Sequence, residues 1–534
     1  MKKLLALFVT ICFCSIIFAG GIVTNSNQSA SWVRMPAQDA STGIPAAYYN
    51  PAGLMKLNNG FHISVSNQSI FQTREVTNNY SGPGGAFGLN EPTFIGKVTA
   101  PVFPSVYAVY KMEKIAFSFG FNPIGGGGGA TFDKGLPAFE MSPSDLVPAL
   151  AAQGASAYRL DAYFKGTSIY FGYQAGISYK INDAISIYGG VRYVTAKNAY
   201  IGHLKDIEID MGGTWLRADG IMKGIAGSAT NAATSTTELV GAGAGPLTLA
   251  EAEGFGYITT PQRLALEGGL ASFGFPTTVP IATADAMFKG AASQYNATAA
   301  LLRDQSADVE QTGSGISPIL GLNLTLGEKI NIGIKYEFMT KMDLTNKTTM
   351  DFTTAYLANG DSITMFPDGE KTPNDMPSML SVGVSAKATD QMTLNLGLHL
   401  YSDKSANYGK KINGEFVKNE EVIDKNFYEL AAGIEYMLSD KILVSAGYLF
   451  AATGVKESYQ SDLSYSLTSS TFGAGGAYNI TDKIQLNLGA GYSWYTNSTK
   501  SFDHLFSPTS TNIPTKETYF KSNFFAAIGV DFSF

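Results

Sequence analysis

Cysteine is almost missing from this chain of 534 residues: Cys12 and Cys14 are the two present, both within the first twenty positions. The rest of the chain has none, which excludes a disulfide scaffold and a cysteine-based metal site. Histidine is scarce as well. His62, His203, His399 and His504 are scattered, and no two stand at metal-ligand spacing. Charged residues make up 15% of the chain, against about 25% in an average soluble protein. The net charge of −7 offers no basic excess to neutralise phosphates, so nucleic acid is not an expected partner. After the first twenty residues no apolar run reaches the length of about 18 that a membrane-spanning helix needs. The run Gly125–Gly129 is not followed by the Gly-Lys-Ser/Thr of a phosphate loop. Asp503–His504 reads as a solvated loop pair, and no Ser-His pair stands out on a strand face. No catalytic residue, metal or cofactor is expected, and the chain does not read as an enzyme.

What is present begins with MKKLLALFVTICFCSIIFAGG. Lys2 and Lys3 precede an apolar stretch, Leu4 to Phe18, which ends in small residues. That is the form of a secretory signal peptide over residues 1–19, cleaved after Ala19. Further on, one motif recurs. YNITDKIQL (Tyr478–Leu486), YKINDAISI (Tyr179–Ile187), LTLGEKINI (Leu324–Ile332), MLSDKILV (Met437–Val444), AKATDQMTL (Ala386–Leu394) and VYKMEKIAF (Val109–Phe117) each join two alternating runs through a short polar break. The runs themselves have period two. In KIQLNLGAGYSWY, Ile484, Leu486, Leu488, Ala490, Tyr492 and Trp494 share one face, and Gln485, Asn487, Gly489, Gly491 and Ser493 share the other.

Fourteen such runs can be counted, near 61–76, 105–111, 115–123, 168–181, 184–200, 315–326, 330–345, 378–388, 392–402, 427–438, 442–452, 469–480, 484–496 and 520–534. Short and long connections alternate between them. A soluble sandwich would not sort its connections this way, and its outer face would carry more charge. The pattern predicts an all-β fold: a transmembrane antiparallel β-barrel of 14 strands, apolar face to lipid, small or polar face to the lumen. Tyr336, Tyr448, Tyr492 and Trp494 suit the interfacial girdle. In the last run Phe524, Ile528, Val530, Phe532 and Phe534 alternate with smaller or polar residues. A terminal strand ending in Phe534 resembles the signal read by the outer-membrane barrel-assembly machinery, an expected partner beside the lipid itself.

An even strand number puts both chain ends on the side of the short turns. Residues 20–60 are therefore expected to be an N-terminal luminal hatch, with residues 61–534 as the barrel. The segment from Gly21 to Leu57 includes Trp32, Val33, Met35, Ile44, Tyr48, Tyr49 and Leu54, which need a dry place. It contains DAS (Asp39–Ser41) and YYNPAGL (Tyr48–Leu54). With the barrel count, these motifs resemble the FadL/TodX family of outer-membrane transporters for hydrophobic compounds. The resemblance implies that Asn50, Pro51 and Ala52 belong to a hatch folded into the lumen. From the residues alone, Pro51 fixes φ and Asn50 suits a turn cap.

The long outer loops are expected to be partly helical. The longest, 201–314, contains two helical stretches, Thr260–Phe273 and Ala282–Leu302, and Ser142–Gly154 reads as a third short helix. They would form a ligand-collecting groove or a packed lid. Arg192, Lys335 and Lys341 fall on inward faces. Cations in a low-dielectric lumen need anions: a cargo carboxylate, or else Glu337, Glu435 or Asp531. In IAFSFGFNPIGGGGG, Gly120, Asn122 and Pro123 precede a glycine run that weakens strand pairing. The resemblance implies a kink here that opens the lumen sideways into the membrane; a plain strand end is the alternative. The expected function is passive transport of hydrophobic small molecules across the outer membrane of a Gram-negative cell, with long-chain fatty acids as cargo and a monomer as the working unit. Aromatic hydrocarbons or other lipids are an alternative cargo, and a structural or adhesive barrel with a blocked lumen is an alternative class.

Overall fold

The computed structural model describes residues 22–85, 87–356, 361–412 and 415–534. The expected signal peptide, residues 1–19, lies outside the described residues. Fourteen strands form the wall. They are β1 Gly60–Asn78, β2 Thr93–Lys111, β3 Ile115–Phe132, β4 Ala155–Lys180, β5 Ile185–Met211, β6 Gln305–Leu326 and β7 Ile330–Glu337. Then come β8 Met379–Lys387, β9 Met392–Tyr401, β10 Tyr428–Ser439, β11 Ile442–Ala452, β12 Ser469–Thr481, β13 Ile484–Tyr495 and β14 Thr511–Ser533. Each pairs antiparallel with the next, and β14 returns to β1 with His62 opposite Ser533 and Asn78 opposite Glu517. The sheet is a closed antiparallel barrel of 14 strands. Closure leaves no edge with unpaired backbone groups in the lipid.

The period-two reading of the faces agrees with burial. In β9, Leu394, Leu396 and Leu400 point away from the barrel and are exposed, while Asn395 and His399 are buried. Phe117, Phe119, Leu488, Phe524 and Ile528 repeat the outward pattern on β3, β13 and β14. The six recurring motifs are the tight turns between β2 and β3, β4 and β5, β6 and β7, β8 and β9, β10 and β11, and β12 and β13. Among the described residues no helix is long and apolar enough to cross a membrane.

Several strands run past the ranges marked by alternation. β5 pairs with β6 out to Leu204 opposite Gln305, so the irregular connection is 212–304 rather than 201–314. Above the lipid the outer face meets water and the apolar alternation fades, although pairing continues. The connection carries four helices: α4 Ala218–Leu239, α5 Leu249–Gly254, α6 Thr260–Ser272 and α7 Ile281–Leu301. α6 and α7 lie where the sequence puts them. α4 has an inner face of Ala226, Ala229 and Ala233, too small to show as a helical stripe. Small residues allow close approach, and Ala229 packs with Ala291 and Ala292 of α7. The helix after β3, α3, spans Pro137–Ala149 and starts earlier than Ser142; Pro137 suits a first helical turn.

β7 also differs. Its ladder with β6 stops at Ile319 opposite Glu337, and the strand resumes only at Asp343–Met350. The next β6 residue is Pro318. Its carbonyl accepts the Phe338 N–H at 3.0 Å, but proline has no N–H to return. The segment 338–342 therefore leaves the strand.

Candidate functional site

Residues 22–57 occupy the lumen. α1 (Ala30–Arg34) is capped by the Ser29 hydroxyl, which accepts the Trp32 N–H at 3.1 Å. α2 spans Ala46–Tyr49, and a 3-10 helix follows over Pro51–Lys56. Between these short pieces the backbone is irregular, so its polar groups must find partners elsewhere. The inner wall supplies them. Ser178 donates to the Pro51 carbonyl and Ser186 to the Ala52 carbonyl, each at 2.7 Å. Gln174 donates to Ala47 O, Lys335 to Tyr48 O, Asn331 to Ala40 O and Tyr107 to Gln28 O. The polar positions of the inward faces thus supply the partners that an irregular plug needs.

Inward glycines let the plug approach the wall. A Cβ on Gly383 of β8 would sit 2.5 Å from Ala40 N, and one on Gly489 of β13 would sit 2.7 Å from Arg34 N. Both approaches require the absence of a side chain.

The Asn-Pro-Ala triplet lies against β4 to β7. Ala52 packs with Tyr188 and Ile319. Pro51 opens the 3-10 helix. Asn50 does not cap that helix with its side chain, as the sequence suggested. Its amide instead donates to Asn323 Oδ1 at 2.7 Å and to Ser41 O at 3.1 Å, because the wall lies within reach on that side.

The three candidate cations separate. Arg192 on β5 and Lys335 on β7 come together, but Lys341 does not join them. It lies in the break after β7 and is exposed, for the reason Pro318 supplies. Arg192 holds Glu337 with two hydrogen bonds of 2.5 and 3.1 Å and also reaches Gln174 Oε1 at 2.6 Å. Lys335 reaches the same Glu337 at 2.7 Å. Both cations also flank the Tyr48 ring, at 5.0 and 4.5 Å from its centroid. Glu337 is thus the shared anion, and Arg192 Nε is buried with no hydrogen-bond partner. Glu435 and Asp531 serve a different cation: Arg34 of the hatch pairs with Glu435 at 2.7 Å and donates to Ser445 and Asn487, and Asn487 in turn donates to Asp531.

Beside this cluster lies a second that sequence reasoning passed over. His399 of β9 stands between Asp39 of the hatch and Glu429 of β10, with 2.6 Å on each side. The signal was available: an ionisable side chain on the inward face of a membrane strand is a functional candidate by default. Tyr48, Arg192, Lys335, Glu337, His399 and Tyr401 line one small cavity with about 20 Å³ of free space, roughly enough for one water. The hatch and the wall leave little free space at this cluster.

The wall itself has a gap. β2 and β3 pair from Lys111–Ala116 to Val106–Phe121, and again from Val98–Ala130 to Gly96–Phe132. Between these stretches, residues 99–105 and 122–129 have no ladder across this edge. Gly120, opposite Tyr107, is the last paired inward residue below the gap, and Asn122 and Pro123 lie within it. Pro101 and Pro104 sit on the facing β2 segment. Neither can donate a ladder hydrogen bond, a signal in the sequence that went unused. On the lumen side the first hatch residues cover the kink. Thr24 bridges Gly125, Asn25 N–H donates to Ile124 O at 2.8 Å, and Gln28 donates to Pro123 O while accepting from Asn122.

The chain matches the family described as outer membrane protein transport protein (OMPP1/FadL/TodX) over residues 262–530. That span covers β6 to β13 and most of β14, and leaves the hatch outside. A Pseudomonas aeruginosa FadL homologue superposes with a TM-score of 0.55 at 13% identity, covering 96% of this chain and 100% of its own. A TodX deltaS2S3 mutant monoaromatic hydrocarbon channel gives 0.51 at 13% identity, covering 95% and 99%. At that identity the likeness is one of fold. No curated protein matches the sequence.

Proposed function

The chain belongs to the OMPP1/FadL/TodX family of outer-membrane transport proteins, and from that premise we propose that its cargo is a hydrophobic molecule with a carboxylate head, of the long-chain fatty acid class. Transport of hydrophobic compounds across the Gram-negative outer membrane is the family's work. The carboxylate is this chain's own addition. The observation that carries it is the sharing of Glu337 by Arg192 and Lys335, with Arg192 Nε left without an acceptor. A second carboxylate has a place in such a cluster, since a buried donor without a partner is costly. A neutral hydrocarbon has nothing to offer it.

In this proposal an apolar chain reaches the lumen from the outer loops, and its head settles beside Arg192 and Lys335. Lys341 has no part in it. The closed cavity requires the hatch to shift first, with Asn50–Ala52 as its seat on the wall. Release runs through the gap at Asn122 and Pro123. A lateral exit is physically favourable, because returning an acyl chain to water costs about 0.8 kcal/mol per methylene.

The test is binding of a long-chain fatty acid and of the alcohol of equal length to the protein and to Arg192→Ala. Loss confined to the acid supports the reading. Equal loss for both makes Arg192 structural. Binding of toluene-like ligands in preference to both would move the cargo to the monoaromatic class named for one structural neighbour.

A further inference from the structure

We infer that His399 is the latch holding the hatch in the lumen, and that it does so as a doubly protonated imidazolium. Its Nε2 lies 2.6 Å from Asp39 Oδ1 and its Nδ1 lies 2.6 Å from Glu429 Oε2. All three residues are buried. Asp39 belongs to the irregular stretch between α1 and α2; His399 and Glu429 belong to the wall. The bond therefore crosses from the plug to the barrel.

The other partners of the two carboxylates are donors as well. Ser381 donates to Asp39 Oδ1 at 2.9 Å, Tyr401 to Glu429 Oε2 at 2.9 Å and Ser26 to Glu429 Oε1 at 3.3 Å. Both acids are thus arranged as acceptors. A neutral imidazole has one N–H and one lone pair. It could satisfy one carboxylate, and its bare nitrogen would face the other at hydrogen-bond distance. Only the imidazolium donates to both.

The remaining charged and titratable groups around the cavity do not replace it. Arg192 and Lys335 are engaged with Glu337, and the Tyr48 hydroxyl donates to Asn25 O. Losing the ring proton removes one charge-assisted bond and leaves two buried carboxylates with no cation between them. The wall strands on either side of His399 are joined to it by unbroken ladders, whereas the hatch around Asp39 has no ladder of its own. The hatch is therefore the part that yields. Its other ionic tie, Arg34 to Glu435, contains no imidazole. His399 accordingly makes hatch release proton-dependent, independently of which cargo is carried.

Ion current through the full-length protein in planar bilayers tests this without any cargo. As the bath is titrated from mildly acidic to strongly alkaline, the wild-type current should rise reversibly by about tenfold, the equivalent of one charge-assisted hydrogen bond. His399→Gln should conduct at the raised level at every pH. Glu429→Gln should stay closed across the titration, because its amide can donate to Nδ1 while a neutral ring donates to Asp39. Heat-modifiable gel mobility reports whether each barrel is folded. A flat wild-type titration overturns the inference. So does a folded His399→Gln that stays as closed as wild type, or a Glu429→Gln that titrates as wild type does. If His399→Gln fails to fold, the wild-type and Glu429→Gln titrations decide the matter.

Discussion

Arg192 grips Glu337 with both arms of its guanidinium, Nη1 to Oε2 at 2.5 Å and Nη2 to Oε1 at 3.1 Å, across the full width of β6. The pair staples two strands that are not neighbours, and Lys335 leans on the same carboxylate. A site holding two cations and one acid is stable when empty and still has a charge to give.

Replacing the acid should separate those two properties. Glu337→Gln leaves two buried cations facing a neutral amide. The folded barrel should lose about 3–5 kcal/mol of stability, the usual cost of stripping one partner from a buried ion pair, measured by urea unfolding in detergent or bilayer. Affinity for a fatty acid should rise at the same time, and that for the matching alcohol should not. A parallel change for both ligands would disconnect the cluster from cargo.

Gly383→Val should unseat the hatch without harming the wall. A side chain there starts 2.5 Å from Ala40 N and from Asp39 C, so the hatch backbone must move away. Valine is otherwise a good strand residue. The expected outcome is unchanged heat-modifiable mobility together with raised ion conductance, approaching that of a variant lacking residues 22–57. Unchanged conductance in both variants would mean that the hatch does not control the pore.

The gap between β2 and β3 can be stapled at its lower rim. Val106 and Phe121 are directly opposed Cα partners, a spacing that accepts a disulfide, and the chain after residue 21 has no competing cysteine. Oxidised Val106→Cys/Phe121→Cys protein should deliver fatty acid more slowly than the reduced form. Equal rates would send the cargo out past the hatch instead.

The outer loop after β9 should respond to pH. Asp403 is fully buried; it accepts from Tyr408 Oη at 2.5 Å and from Phe427 N at 3.1 Å. Burial pushes its carboxyl from 3.8 up to about 6. A raised folded-state value means that the stabilising contribution is complete below 3.8 and is lost as pH rises through about 6. Hydrogen exchange in residues 402–412 and 415–427 should therefore be slower, after correction for the intrinsic rate, at mildly acidic pH than at neutral pH. Asp403→Asn mimics the protonated acid and should keep the slow exchange at both. A wild-type loop insensitive to pH would contradict the assignment.

The sequence by itself determined the barrel. Leu394, Leu396 and Leu400 alternate with Asn395 and His399 because a closed sheet in lipid has one apolar and one luminal face, and that periodicity is local. The six short breaks fixed which strands are hairpin neighbours, and their regular alternation with longer segments fixed the two ends. Pro51, and the proline and glycines after Asn122, were legible too, since both residue types act on their own backbone. What local pattern could not carry were partnerships across hundreds of residues. Asp39 meets His399, Arg34 meets Glu435, and Arg192 meets Glu337 only once fourteen strands have closed around residues 22–57. Lys341 shows the same limit from the other side. Its inward parity was sound, but Pro318, on the neighbouring strand, ends the ladder before reaching it. Alternation assigns a face; only the assembled wall decides which charge stands opposite which, and whether the strand is still there to hold it.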